Sequence, residues 1–373
     1  LRILLTGTSN SIIANGFNRG IERHAATTTF QNVSFGASST IALGDHMRGI
    51  DFSQYDVCIF DYCVNEEDYI FIRQTTVDEA MSNLAAACDA ASRAGCLSVI
   101  AVFANLNRVP LKRPLEAALI DRFGTLGVPV FNIHPLLQGL VQSLGCPIQN
   151  LFQDPNHVLR EIGASFGAGI MDAVQAGAGF PRSLVKTDQT YRQLRFVPFS
   201  KMAVTGGSQV VSRQTRLASA ELLQLDPEAQ ITCFAQSDGF ECAGITFNAA
   251  RTWGHLDDVT TGTRVLSSEW KVLFSTKREL TLVSVPFRSV LEARVEGRTF
   301  VFVPEKVTGP DIPPIAFETT GLVLREQIAR QELALLVAPD APSAAPEVVS
   351  PARFSGLVES LNKTFEAKSS RQP

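Results

Sequence analysis

The chain has 373 residues, a formal net charge of -4, and 45% hydrophobic and 19% charged residues, the composition of an ordinary globular protein. Net negative charge without a basic run excludes an electrostatic nucleic-acid binder, and no apolar run is long enough to span a bilayer. At this length one core seldom suffices, so two domains are expected.

Seven cysteines stand at 58, 63, 88, 96, 146, 233 and 242. The odd count and the lack of CxxC spacing indicate neither a disulfide framework nor a zinc site. A reducing, cytoplasmic compartment is therefore expected, with Cys233–Cys242 across a hairpin the one pairing left open. The sequence starts at Leu1 and enters a strand almost at once, so a removed signal peptide also stays open.

Residues 1–180 alternate strand and helix patterns. Short apolar runs at Arg2–Leu5, Gln31–Phe35, Val57–Phe60, Leu97–Phe103 and Val128–Phe131 read as strands buried on both faces. Thr76–Ala94 is a helix by three signals: a capping box of Thr76 and Glu79, an apolar stripe of Ala80, Leu84, Ala87 and Ala91, and Gly95 past its end. Pro114 opens another helix, to about Phe123. Such alternation predicts an α/β domain with a parallel sheet covered on both faces, a three-layer, flavodoxin-like arrangement. After a boundary at Gly177–Pro181, residues 190–336 read as short alternating strands. Clear ones are Gln230–Ala235, Gly244–Phe247, Glu269–Ser275, Leu280–Pro286, Val290–Val295 and Thr299–Val303, the pattern of a β-sandwich. Residues 337–373 hold an Ala/Pro linker, Ala338–Pro346, and a terminal helix from Ala352 to about Ala367. Its stripe of Phe354, Leu357, Leu361 and Phe365 must dock on this chain or on a second copy, which makes a homo-oligomer one expectation.

The polar residues fall into a pattern. Ser9 follows strand one in Gly7-Thr8-Ser9, Gly36 follows strand two, and Asn65 follows strand three in Cys63-Val64-Asn65. All three therefore come to one sheet edge, where α/β folds bind ligands. Asp154-Pro155-Asn156-His157 follows strand five and opens a helix from Val158 to about Val174. A spacing of three lets the Asp154 carboxylate reach a ring nitrogen of His157. In this constellation Ser9 is a nucleophile, His157 its base, and Asp154 the group that orients the imidazole. The N–H groups of Ser9 and Gly36 and the Asn65 amide would line an oxyanion hole. No cofactor is required, and His24, His46 and His255 have no metal-ligand spacing.

Each residue also has an ordinary role. Ser9 and Asn65 suit turns, Gly36 suits a φ > 0 corner, and Asp154 suits a helix N-cap. His134 also follows a strand and competes as base, but no carboxylate lies close to it in sequence, so His157 is preferred. The acidic run Glu66-Glu67-Asp68 reads as a solvated loop. Trp253 and Trp270 read first as sandwich core and second as platforms that stack on sugar rings.

Together Gly7-Thr8-Ser9, Gly36, Asn65 and Asp154-x-x-His157 resemble the four blocks of the SGNH (GDSL-type) hydrolases, over about residues 1–178. The resemblance implies a flavodoxin-like α/β/α fold and esterase, lipase or O-acyltransferase chemistry. It matches Ser9 to the nucleophile, Gly36 and Asn65 to the oxyanion hole, and Asp154 and His157 to the other triad members. Thr8 replaces an acidic residue of that pattern, Cys63 a glycine and Glu66 an aspartate; none of these removes a catalytic atom, but Cys63 puts a side chain near the oxyanion hole, which puts the width of the pocket in question. The expected function is a serine esterase that cleaves an acyl, by preference acetyl, ester on a carbohydrate through an acyl-Ser9 intermediate. An O-acyltransferase acting on a polysaccharide would use the same residues. An inactive, hydrolase-like glycan-binding or assembly protein is the third reading, and intact Ser9, Asp154 and His157 argue against it.

Overall fold

The computed structural model of the chain describes residues 1–107, 113–177, 193–215, 219–234, 239–266, 279–293, 297–305, 316–326 and 350–369. Strand β1 (Arg2–Gly7) is the organising element of the first half. It pairs in parallel with β2 (Thr29–Asn32) on one side and β3 (Val57–Asp61) on the other. Beyond β3 come β4 (Leu97–Val102) and β5 (Val130–Asn132), giving the five-stranded order β2-β1-β3-β4-β5. Because the side chains of a strand alternate between its faces, Ile3, Leu5, Ile59 and Val99 enter one core. Leu4, Cys58, Phe60 and Ile100 enter the other. This is why β3 and β4 are mostly apolar, with both faces covered; the edge strand β2, expected from sequence to be buried on both faces, instead alternates exposed and half-buried residues.

Helices α1 (Ser9–Ile12) and α2 (Phe17–Glu22) follow β1, and α3 (Leu43–His46) precedes β3. Between β3 and β4 lie α4 (Cys63–Phe71) and α5 (Val77–Arg93). The expected capping box of α5 forms: Glu79 N–H donates to Thr76 Oγ1 at 3.2 Å, and Thr76 N–H donates to Glu79 Oε2 at 2.9 Å. The segment opened by Pro114 is α-helical only as α6 (Pro114–Ala118) and continues as a π turn over Leu119–Phe123. Helix α7 (His134–Leu144) follows β5. A small antiparallel hairpin, β6 (Phe152–Asp154) and β7 (His157–Val158), then leads into α8 (Arg160–Gln175).

The second half is antiparallel. Its strands are β8 (Leu194–Pro198), β9 (Ala203–Thr205), β10 (Ser208–Gln214), β11 (Ser219–Leu225), β12 (Gln230–Cys233) and β13 (Phe240–Asn248). They continue with β14 (Gly254–Asp258), β15 (Thr263–Leu266), β16 (Leu282–Ala293), β17 (Arg298–Pro304) and β18 (Phe317–Glu326). One sheet runs β10-β11-β18-β13-β16, with β8 also on β18, and the other runs β15-β14-β17-β12-β9. The two share a core, to which the first sheet contributes Ile245, Phe247, Val285 and Phe317 and the second Ile231, Leu256, Phe300 and Phe302. The runs read from sequence as two strands, Leu280–Pro286 and Val290–Val295, are one long strand, β16. The run Glu269–Ser275, most of the boundary at Gly177–Pro181 and the linker Ala338–Pro346 lie outside the described residues. Cys233 and Cys242, the pairing left open from sequence, are both buried free thiols.

The halves are joined along the segment between β2 and α3. Ser284 N–H donates to Ser38 Oγ, and Ser39 N–H donates to the Ser284 carbonyl, both at 3.1 Å. A Cβ on Gly44 would stand 2.7 Å from Val323 Cγ1, so a side chain there would have to displace the buried Val323 where α3 packs on β18. Arg325 of β18 reaches across to Glu79 at 2.6 Å. The terminal helix, α9 (Pro351–Ser369), returns to the first half. Leu357 and Leu361 are buried in the core that includes α7 and α8, with Phe354 and Phe365 packed beside them. Arg353 adds an ion pair to Asp172 at 2.6 Å. The stripe thus docks on its own chain, which removes the reason for expecting a second copy there. No described helix is long and apolar enough to cross a membrane.

Candidate active site

Because β2 and β3 flank β1, the segments that leave their carboxyl ends flank the turn after Gly7. Pairing with β1 extends past β2: Val33 N–H bonds the Leu5 carbonyl at 2.9 Å, and Phe35 N–H bonds the Gly7 carbonyl at 3.1 Å. Gly36 is the next residue. Asn65 sits in the first turn of α4, directly after β3. Ser9 opens α1 and is half-buried.

Asp154 and His157 lie on the two strands of the β6–β7 hairpin, paired with each other. The helix expected to start at Val158 starts at Arg160, so Asp154 is not its cap. His157 Nε2 lies 2.7 Å from Ser9 Oγ. His157 Nδ1 lies 2.7 and 2.8 Å from the two Asp154 carboxylate oxygens. A proton held on Nδ1 by that carboxylate leaves the Nε2 lone pair facing the serine hydroxyl. The hairpin turn is itself held in place. Asn156 N–H bonds Asp154 Oδ1 at 3.0 Å, Asn105 Nδ2 bonds Asn156 Oδ1 at 2.8 Å, and Leu106 N–H bonds the Pro155 carbonyl at 2.7 Å. Asn10, next to Ser9, reaches the Asn156 carbonyl at 3.5 Å. Sequence reading passed over Asn10, Asn105 and Asn156. The only signal was the density of asparagines after strand ends, which is also how ordinary turns look.

A second omission is Asp61, the last residue of β3 and fully buried. Ser11 Oγ donates to its Oδ2 at 2.8 Å and Thr8 Oγ1 to the same oxygen at 3.4 Å, while Oδ1 has no partner among the described residues. Burial pushes this carboxyl up to about 6, against the hydrogen bonds from Thr8 and Ser11. Asp61 thus grips the residues on both sides of Ser9 from below. Gly7 is required by the same packing, since a Cβ there would lie 2.6 Å from the Asp61 carbonyl oxygen and 2.8 Å from Ser11 Oγ.

The Asn65 side-chain amide is buried and donates to the Ser38 carbonyl at 3.3 Å. Gly36 has a conformation open to any residue, and a Cβ would only touch Ile12 Cδ1 at 3.6 Å, so it is no φ > 0 corner. His134 lies at the start of α7, and the fold does bring it a carboxylate, with Nε2 3.3 Å from Glu116 Oε2. Burial drives His134 down to about 3, helped by the nearby Arg113 charge, so it stays neutral and structural. The acidic run is not a solvated loop. Glu66 and Glu67 are buried inside α4, where Glu66 Oε2 accepts from Thr40 N–H at 2.5 Å and Glu67 Oε1 accepts from Leu115 N–H at 3.0 Å. Trp253 is half-buried in the antiparallel half, on no element that carries Ser9 or His157, and Trp270 lies outside the described residues. Among the described residues no cluster of His, Cys, Asp and Glu has the arrangement to hold a metal.

No protein-family model matches the chain, and no curated protein matches it. Among solved structures, a beta-glucosidase from Listeria innocua in complex with isofagomine is similar at 12% identity and a TM-score of 0.23. The match covers 87% of this chain and 46% of that one. A likeness this slight carries no argument about fold or chemistry.

Proposed function

We propose that the protein is a serine hydrolase of SGNH type that cleaves an acyl ester, with Ser9, His157 and Asp154 as its triad. The observation that carries this reading is the continuous line from Ser9 Oγ to His157 Nε2 at 2.7 Å and from His157 Nδ1 to both Asp154 oxygens. In the first step Ser9 Oγ attacks the ester carbonyl while its proton passes to Nε2. Collapse of the tetrahedral intermediate expels the alcohol, which takes that proton and leaves an acyl-Ser9. Water then repeats the sequence and releases the acid. The Ser9 N–H, in the first helical position of α1 and so without an intrahelical acceptor, serves the oxyanion together with the Gly36 N–H. Asn65 has its amide on the Ser38 carbonyl and joins them by the second hydrogen of that amide.

The strand order β2-β1-β3-β4-β5 supports a flavodoxin-like first half. The shared core of the two antiparallel sheets supports a β-sandwich after it. The preferred substrate is an acetyl ester on a carbohydrate. The test is labelling by a fluorophosphonate probe and turnover of a small acetyl ester by the full chain. Both are expected in the wild type and lost in a folded Ser9→Ala variant. A wild type that neither labels nor turns over ester, or a Ser9→Ala variant that still does, overturns the assignment.

A further inference from the structure

Gly36 stands at the seam between the two halves, and its neighbours are held by the antiparallel half as much as by the parallel sheet. The Phe35 side chain packs with Leu222, Leu280 and Leu282, and Ala37 packs on the core that the two antiparallel sheets share. Ala37 takes a φ of 51°, in the left-handed region that a residue with a Cβ rarely adopts. Such a conformation costs free energy and persists only where its surroundings over-determine it, most often at functional sites.

Here the contacts that over-determine it fall on successive residues. The Ala37 carbonyl accepts from the Tyr69 hydroxyl at 2.8 Å, and Tyr69 is a residue of α4 whose ring lies in that same shared core. Ser38 is fully buried. Its Oγ accepts the Ser284 N–H of β16 at 3.1 Å and donates to the Gly36 carbonyl at 3.3 Å, which uses the only donor a hydroxyl has. Ser39 N–H then donates back to the Ser284 carbonyl at 3.1 Å. One hydroxyl thus ties the peptide that follows Gly36 to a strand of the antiparallel half. The Gly36 N–H itself has no acceptor among the described residues.

We propose that Ser38 is a positioning residue, seconded by Tyr69, and that the two fix the Gly36 segment against β16 so that the antiparallel half holds one of the two backbone oxyanion donors in place. This rests on the serine-hydrolase reading and gives the antiparallel half a part in the chemistry. An oxyanion donor works when it is aimed before the charge develops. It makes its full contact only as the tetrahedral intermediates form, so loosening it lowers kcat and leaves KM where it was.

The test is steady-state hydrolysis of p-nitrophenyl acetate by the full chain, together with hydrogen exchange of the Phe35 and Ser39 amides. Ser38→Ala should lower kcat by roughly 10–100-fold, with KM within about two-fold of the wild type. Tyr69→Phe keeps the ring in the core and should lower kcat by about three-fold or more, again at unchanged KM. If Ser38→Ala does not fold, Tyr69→Phe decides. Exchange at Phe35 and Ser39 should be at least about ten-fold faster in Ser38→Ala. Thr246→Val is the control: it removes a buried hydroxyl that bonds Ser284 Oγ at 2.7 Å but leaves the backbone bonds of Ser284 to Ser38 and Ser39. Its kcat should match the wild type. The inference is overturned if either variant, folded, keeps the wild-type kcat, if KM rises in place of a fall in kcat, or if Thr246→Val loses as much turnover as Ser38→Ala. A wild type inert toward the ester defeats the serine-hydrolase reading and this role with it. An active wild type with unchanged exchange in Ser38→Ala defeats this role alone.

Discussion

Replacing Asp61 by asparagine tests the account of how the Ser9 turn is held. Burial raises the Asp61 carboxyl from 3.8 to about 6, so the folded state holds its proton more tightly than the unfolded chain does. Its contribution to stability is therefore full below about 3.8 and is lost as pH rises through about 6. At ~1.4 kcal/mol per pH unit the loss comes to roughly 3 kcal/mol at pH 8. In Asp61→Asn the amide side chain keeps an oxygen for Ser11 Oγ and Thr8 Oγ1 and never ionises. Its NH₂ group would take the place of Oδ1, which has no partner among the described residues, at a cost of ~1 kcal/mol or more. The variant should thus be more stable than the wild type at pH 8 by ~1–2 kcal/mol, and slightly less stable at pH 4. Hydrogen exchange of the Thr8–Ser11 amides reads this locally, without assuming that the two halves unfold together. Glu66, raised to about 7 by burial, runs in the same direction. His46, lowered to about 3 by burial, contributes stability above pH 6.5 that is lost as pH falls toward 3. Both are common to the two proteins and cancel in the comparison. Identical pH profiles for wild type and variant would refute the reasoning.

Asp154→Asn should lower ester turnover by up to ~10⁴-fold, because an amide favours the wrong imidazole tautomer, while circular dichroism stays unchanged; a loss under ten-fold would deny Asp154 the orienting role. His134→Gln should leave turnover at the wild-type level, since His134 lies beside Glu116 and not beside Ser9; loss of activity in a folded variant would transfer the role of base. Leu361→Ala, at a fully buried position of α9, should cost ~2–5 kcal/mol in urea unfolding of the first half. An unchanged midpoint would mean that α9 does not dock on α7 and α8.

Local chemistry was legible from the residues alone wherever the interacting groups are near in sequence. The capping box of Thr76 and Glu79 lies within one helical turn, and the backbone between two residues three apart leaves few alternatives. The same holds for the reach of Asp154 to His157, although the turn proved to be a hairpin rather than a helix start. The change from alternating helices and strands to strands alone predicted a parallel sheet followed by antiparallel ones, because a covered strand needs apolar residues on both sides.

What depends on distant packing was decided only by the tertiary structure. Glu66 and Glu67 look like surface charges, and only the segments laid over α4 supply the Thr40 and Leu115 amides that make their burial tolerable. Asp61 ends an apolar strand, and nothing near it in sequence says that Thr8 and Ser11 will close over its carboxylate. The glutamate beside His134 comes from α6, on the far side of β5 in the chain, and the face that receives α9 is built by α7 and α8, far earlier in the chain. In each case the partner is chosen by which elements pack together. Burial makes a missing partner costly, so the fold and not the local sequence assigns these groups their roles.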